Sequence, residues 1–303
     1  MIYSFTLGMV VPGLMFSAGD KLVEKAPAEK VAQEQVYIPV LMSDGKLQAM
    51  GLESYISRVV LGEMPAYFDE EALKAQAVAA RTYTLRLLED GDRHQGAVCT
   101  DYTCCQSYLE PEEYLRTRGA QSDMDKIFAA VADTAGEVVC YDGELICATY
   151  FASAGGATED AKEVWGQSVP YLVPVSSPEQ SLYDGQKVTC SAAEFQSRLG
   201  VSLEGNPDSW FGAVTYTPGG GVDTLRIGGK AYSGVKLRSL FGLRSTVFWV
   251  TATESAVTFE TLGYGHRVGL SQYGADAMAQ SGSDYRQILA HYYQGTTLER
   301  YTD

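Results

Sequence analysis

The sequence predicts an α+β fold, in which a helical segment packs with a mainly antiparallel β region as one compound domain. Three observations carry that class. Residues 52–61 and 70–89 repeat apolar positions at helical spacing. Asp44-Gly45 and Asp142-Gly143 separate short strand-like runs. Residues 175–262 are rich in β-branched residues and glycine, with Gly219–Gly221 and Gly228-Gly229 as turns. Helices and strands gathered in different stretches favour α+β over an alternating α/β order.

Taken in order, residues 1–18 are uncharged and mostly apolar, near the ~20 residues that a membrane span needs. They read as a signal peptide or a membrane anchor, and residues 19–35 as a charged linker. Residues 36–303 then form the folded domain, with the β region at about 137–262. Val36–Val40 and Leu47–Met50 are expected to pair around Asp44-Gly45. In the first helix, Leu52, Tyr55, Ile56, Val59 and Val60 make one apolar face, and Gly62 and Pro65 are expected to stop it. Asp69 is the expected N-cap of the second helix, which runs to about Leu88. Asp123–Thr134 reads as a further helix, and Glu137–Tyr141 with Glu144–Ala152 as a hairpin. In that register Cys140 opposes Leu145 and Cys147 opposes Val138, which argues against a disulfide between the two cysteines. A short helix is expected near 235–241. Ser271 and Ser283 are the expected caps of two closing helices.

Composition excludes some partners. Of 303 residues, 46% are hydrophobic and 20% charged, which suits a globular chain with a sizeable core. A net charge of −15 argues against nucleic acid, whose binding relies on neutralising phosphates.

The chemistry concentrates in two places. Glu63 sits where the first helix ends, beside carbonyls at the negative end of the dipole. A carboxylate there is expected to hold its proton to higher pH, as a general acid must. Asp69, Glu70 and Glu71 lie instead at a positive helix end and are expected to stay ionised. The second place is the loop with His94, Cys99, Cys104 and Cys105. One imidazole and up to three thiols suit zinc, although neighbouring Cys104 and Cys105 point apart in extended chain. The competing reading is ordinary buried or disulfide-bonded cysteine.

GEMP at 62–65 with EALKAQAVAARTY at 71–83 resembles the signature of the stage II sporulation protein D family. Four further stretches resemble it in the same order: VCTDYTCCQSY, YFASAGGATEDAKEVWG, GLRSTVF, and the run from Gly263 to Leu298. The resemblance implies a peptidoglycan lytic transglycosylase with Glu63 as its catalytic acid. It implies substrate contacts from Lys74, Arg81, Gln106, Ser153, Gln272 and Tyr273. Lys74 and Arg81 would bind the lactyl carboxylate of N-acetylmuramic acid, which is exposed once stem peptides are gone. Zinc held by His94, Cys99 and Cys105 is also implied, with Cys104 able to close the shell. So are a stem-peptide-removing amidase as partner and an extracytoplasmic location. A non-catalytic wall-binding enhancer of an amidase is the alternative. Two positions depart from the family pattern. Ala154 stands where relatives often have serine, and Arg267 replaces the second glycine of a glycine-histidine-glycine segment. Arg267 is expected to alter backbone freedom or charge the groove. His266 is left as a general base, a metal ligand, a donor behind one, or a structural histidine. Trp165 is left between sugar stacking and core packing.

Overall fold

The computed structural model describes residues 36–302 apart from 92 and 178. The expected leader at 1–18 and linker at 19–35 lie outside the described residues. Among the described residues no helix is long and apolar enough to cross a membrane. The helices are α1 (Leu52–Glu63), α2 (Glu70–Asp90), α3 (Pro111–Thr117), α4 (Gln121–Asp133), α5 (Ala161–Trp165), α6 (Ala192–Leu199), α7 (Gly234–Phe241), α8 (Gln272–Gln280) and α9 (Tyr285–Tyr292).

The class is α+β, with small and mainly antiparallel sheets. Two short pairings are parallel, Val40–Leu41 with Val98–Cys99 and Tyr150–Phe151 with Leu270–Ser271. Helix α2 is central. It packs against α1, α4, α8, α9 and the strand Glu137–Tyr141. Its alanines at 72, 75, 77, 79 and 80 are fully enclosed, because a side chain of one methyl lets several backbones approach one helix. Asp69 caps α2 by accepting from the Glu71 amide at 3.0 Å, and Gly91 ends it at φ 66°.

The hairpin at Glu137–Tyr141 pairs Cys140 with Leu145 as expected, and Asp142 (φ 52°) and Gly143 (φ 81°) make its left-handed turn. Its second strand stops at Leu145, so Cys147 has no place opposite Val138. No disulfide joins the six cysteines. On its other edge the hairpin pairs with Thr297–Arg300 and belongs to the helical core.

The β-rich part has its own core. Phe195, Phe241 and Phe259 meet there with ring centroids 4.9–6.1 Å apart. One sheet runs Val247–Ala252, Ala256–Leu262, Gln186–Ser191, and the other Phe211–Tyr216, Val222–Ile227, Lys230–Ser233; all pairings are antiparallel. Helices α6 and α7 cover them.

Two local expectations are corrected. Gly62 lies inside α1 and does not stop it; Met64, extended at φ −119°, and Pro65 do. The cap of α9 is Asp284, not Ser283, in a capping box with Gln287 (2.8 and 3.0 Å).

Candidate functional site

Glu63 is the last residue of α1, and two other segments fix its carboxylate. A Cβ on Gly62 would lie 2.6 Å from Ser107 Oγ and 3.0 Å from the Tyr108 amide nitrogen. Glycine there is what lets the 105–110 loop cross the helix end. The Ser107 amide then donates to Glu63 Oε1 at 2.8 Å. From the start of α8, Gln272 Nε2 donates to Glu63 Oε2 at 3.3 Å and to Gln76 Oε1 at 3.4 Å. Burial raises the carboxyl above its ordinary range, opposed by the Ser107 and Gln272 bonds and the Arg118 charge. The expected direction is observed, but its cause is removal from water.

Glu63 stands at the junction of two adjoining cavities of about 410 and 440 Å³. Both include Ala152, Tyr183 and Gln272 in their walls, so they form one cleft of a size suited to a ligand. Tyr102, Tyr264 and His266 line one half, and Tyr67, Tyr273 and Arg118 the other. Exposed rings such as Tyr67 and Tyr102 give flat apolar faces beside hydrogen-bonding groups, as a sugar chain requires. Among the described residues, Glu63 is the one carboxylate in the first half. Asp123 joins it in the second, where its Oδ2 is held by the Ala120 amide at 2.9 Å. Asp69, Glu70, Glu71, Asp101 and Glu163 line neither half.

The structure brings together some of the residues chosen from sequence. Gln106 and Gln272 line the cleft with Glu63, and Tyr273 lines its second half. Gln106 is braced at both ends, donating to Thr84 Oγ1 at 2.8 Å and accepting from the Tyr150 hydroxyl at 2.7 Å.

Three others are placed elsewhere. Ser153 is enclosed and bonded to Ser181 Oγ at 2.8 Å. Arg81 is 0% exposed. Its guanidinium pairs with both oxygens of Glu53 (2.9 and 2.6 Å) and donates to the carbonyls of Glu137 and Val131. Lys74 pairs with Glu70, Glu71 and Asp133 on the α4 side of α2. The expectation that Lys74 and Arg81 present cations to a substrate carboxylate is therefore corrected. The same seven-residue spacing puts them on one side of the helix, and that side is packed.

Beside the first half of the cleft, His94, Cys99, Cys104 and Cys105 converge with donor atoms all within 4.8 Å of one another. Cys104 is included, contrary to the extended-chain argument. The amides of Cys104 and Cys105 both donate to the Asp101 carbonyl, and the turn they make swings the two thiols together. The Sγ atoms of Cys104 and Cys105 are 4.0 Å apart, and His94 Nε2 is 3.2 Å from Cys104 Sγ. A tetrahedron with metal–sulfur bonds of about 2.3 Å has edges of roughly 3.8 Å, so these four donors fit a metal ion as a closed set. Cys105 also faces the cleft. His266 is not part of the set.

The family model for SpoIID, stage II sporulation protein, matches residues 43–141, which hold Glu63 and all four soft donors. Stage II sporulation protein D of Bacillus subtilis (strain 168) is 38% identical over 89% of this chain and 81% of its own. The protein of the same name from Bacillus amyloliquefaciens is 37% identical over 91% and 82%. The chain belongs to the stage II sporulation protein D family. An amidase enhancer of Bacillus subtilis (strain 168) is also similar, 31% identical over 80% of this chain and 40% of its own.

This sporulation family member has cleft residues that sequence reasoning missed or left open. Arg118 and Tyr183 come from loops far from Glu63 in the chain, and no spacing rule connects them; Tyr67 lies four residues after Glu63, in the loop between α1 and α2. Gln76 shares one face of α2 with Ala72, Ala79 and Tyr83. It is fully buried and holds Gln272 from behind. His266 is pushed down to about 4, first by burial and then by the Arg238 charge, so it is neutral at physiological pH. Its Nδ1 accepts from the Val268 amide at 3.2 Å, and its ring packs on Phe151 and Trp165. Trp165 is 47% exposed at this edge, not in a core. Arg267 does not charge the groove. It is fully buried at φ 69° and bonds the carbonyls of Ala154, Ala157 and Gly219.

Proposed function

We propose that this protein is a lytic transglycosylase that cleaves the bond between N-acetylmuramic acid and N-acetylglucosamine in peptide-stripped glycan strands. The observation that carries the reading is Glu63, a proton-retaining carboxyl at the junction of an aromatic-lined cleft. Hydrolytic glycosidases use a pair of carboxylates across the scissile bond. Among the described residues Glu63 is the one carboxylate in the first half of this cleft, and Asp123, in the second, has its Oδ2 on the Ala120 amide at the start of α4.

One group is enough when the nucleophile is built into the substrate. Glu63 gives its proton to the departing glycosidic oxygen. The carboxylate then takes the proton of the muramyl 6-hydroxyl, whose oxygen attacks the anomeric carbon and closes a 1,6-anhydro ring. No water is consumed, and Glu63 ends protonated. The internal hydroxyl acts at high effective concentration, so no activated water is needed. Ser107 and Gln272 hold the carboxyl through both strokes, one on each oxygen.

Zinc is the metal we assign to His94, Cys99, Cys104 and Cys105; three thiolates and an imidazole form a closed, structural type of shell. Bound there, it would fix the loop that carries Gln106 and Ser107. Purified protein is expected to carry one zinc per chain by elemental analysis, and chelation to lower the thermal midpoint. Cys104→Ser is expected to weaken metal retention by more than the roughly 10- to 100-fold typical of a lost outer partner. Unchanged retention would leave Cys104 outside the shell.

The proposed setting is the sporulation wall, outside the cytoplasm, with residues 1–18 as leader or anchor and an amidase supplying stripped strands. The amidase-enhancer relative favours a second reading, a wall-binding module without turnover. Mass spectrometry of products from peptide-free strands separates the two. Anhydro ends, lighter than reducing ends by one water, support the enzyme. Reducing ends would require a second carboxylate, and binding without products would favour the enhancer.

A further inference from the structure

With Lys74 and Arg81 withdrawn into internal ion pairs, the cleft needs another source of positive charge if it takes an anionic strand. Arg118 lines the half of the cleft shared by Glu63, Tyr67 and Tyr273. Its side chain is exposed, and Nη1 donates to the carbonyl of Gly62, the residue before Glu63, at 3.2 Å. That bond holds the guanidinium next to the catalytic carboxyl while leaving its other donors open. Among the described residues no ion pair ties Arg118 to an acid. Asp123 shares this half but is bonded to the Ala120 amide. Arg244 lies over the ring faces of Tyr183 and Tyr264, 5.2 and 5.0 Å from their centroids, and half-buried Arg238, behind His266, donates to the Leu243 carbonyl at 3.3 Å. In a chain of net charge −15, a tethered cation with no ion pair among the described residues, facing a Glu63 carboxyl that burial holds towards its neutral form, is a ligand for an anion.

We infer that Arg118 binds the free lactyl carboxylate of a muramyl residue, so that the cleft itself selects strands whose stem peptides have been removed. This rests on the glycan reading above and adds the residue that enforces the state of the substrate. A guanidinium presents two parallel donors that match both oxygens of a carboxylate. A muramyl residue still carrying its peptide has an uncharged amide there and loses that pairing. The preceding reaction is then hydrolysis of the lactyl amide, in which one water is consumed, the peptide leaves as an amine and the carboxylate is freed.

The test uses two probes, peptide-free strands and the same strands with their lactyl carboxylates converted to methylamides. Binding is measured by calorimetry to the Glu63→Gln protein, so the result does not depend on turnover. Arg118-containing protein is expected to bind the acidic strand about tenfold more tightly than the methylamide. With Arg118→Gln added, the acidic strand is expected to lose that advantage while methylamide affinity stays unchanged. Arg118→Lys is expected to keep part of it, because a point charge lacks the paired geometry. Equal affinity for both strands in Arg118-containing protein overturns the proposal, as does a preference that survives Arg118→Gln. Either result leaves the transglycosylase reading standing, which is judged on products instead. No binding of either strand overturns both.

Discussion

Glu63→Gln is expected to abolish anhydro-product formation and, at neutral pH, to make the protein more stable. Removing a general acid–base group costs about 10²- to 10⁴-fold in rate. Here one group is asked to donate and then to accept, which places the loss at the upper end. Glutamine keeps the volume of the side chain and an oxygen for the Ser107 amide, so cleft shape is retained. The stability effect follows from the direction of the pKa shift. Burial raises the folded-state value above the unfolded value of about 4.3. Between those two values the folded protein binds more protons than the unfolded one, so stability falls as pH rises through the window. Glutamine does not titrate. The difference in thermal midpoint between variant and wild type is therefore expected to be near zero at pH 4 and to grow towards neutrality. A wild type more stable than Glu63→Gln at pH 7 would contradict the burial argument, and unchanged activity would contradict the catalytic one.

The part of this site that sequence made legible is the part built from local rules. The α1 stripe and the Asp69 cap place Glu63 at a helix end without any tertiary information. What was not legible depended on partners distant in the chain. Lys74 and Arg81 have the spacing of a solvated face, and only the arrival of Glu53, Glu137 and Asp133 turns that face inward. Gly62 has the composition of a stop signal; its actual use, a close crossing by Ser107, involves a loop more than forty residues away. Cys104 was discounted on extended geometry because nothing in the sequence announced the turn on the Asp101 carbonyl. Arg118 has no local signature. Its place beside Glu63 comes from a bond to the Gly62 carbonyl, 56 residues away, and that is seen only in three dimensions.

Arg267→Gly is expected to destabilise the protein, although it restores the glycine that the backbone conformation favours. At φ 69° Arg267 occupies the left-handed region, where a non-glycine residue costs about 1–2 kcal/mol. Glycine recovers that amount and loses the guanidinium. Arg267 joins the Ala154–Ala157 segment to Gly219 and Thr246 of the β-rich part, with Glu159 3.5 Å away. Burial lowers its pKa to about 10, against the pull of Glu159, so it remains charged at neutral pH. Glu159 is itself 2% exposed. Removing one partner of a buried pair costs about 3–5 kcal/mol, because the other charge is stranded. Glu159 keeps donors from Thr217 and the Gly219 amide, which softens that penalty towards its lower end. The net expectation is a loss of about 2 kcal/mol, or roughly 4–8 °C in thermal midpoint. Adding Glu159→Gln removes the stranded charge and is expected to recover part of the loss. A midpoint unchanged in Arg267→Gly, or lowered further by Glu159→Gln, would mean that backbone strain, not the ion pair, dominates at this position. The cleft depends on the outcome, since Ala152 and Gly265 stand in its wall on either side of this clamp.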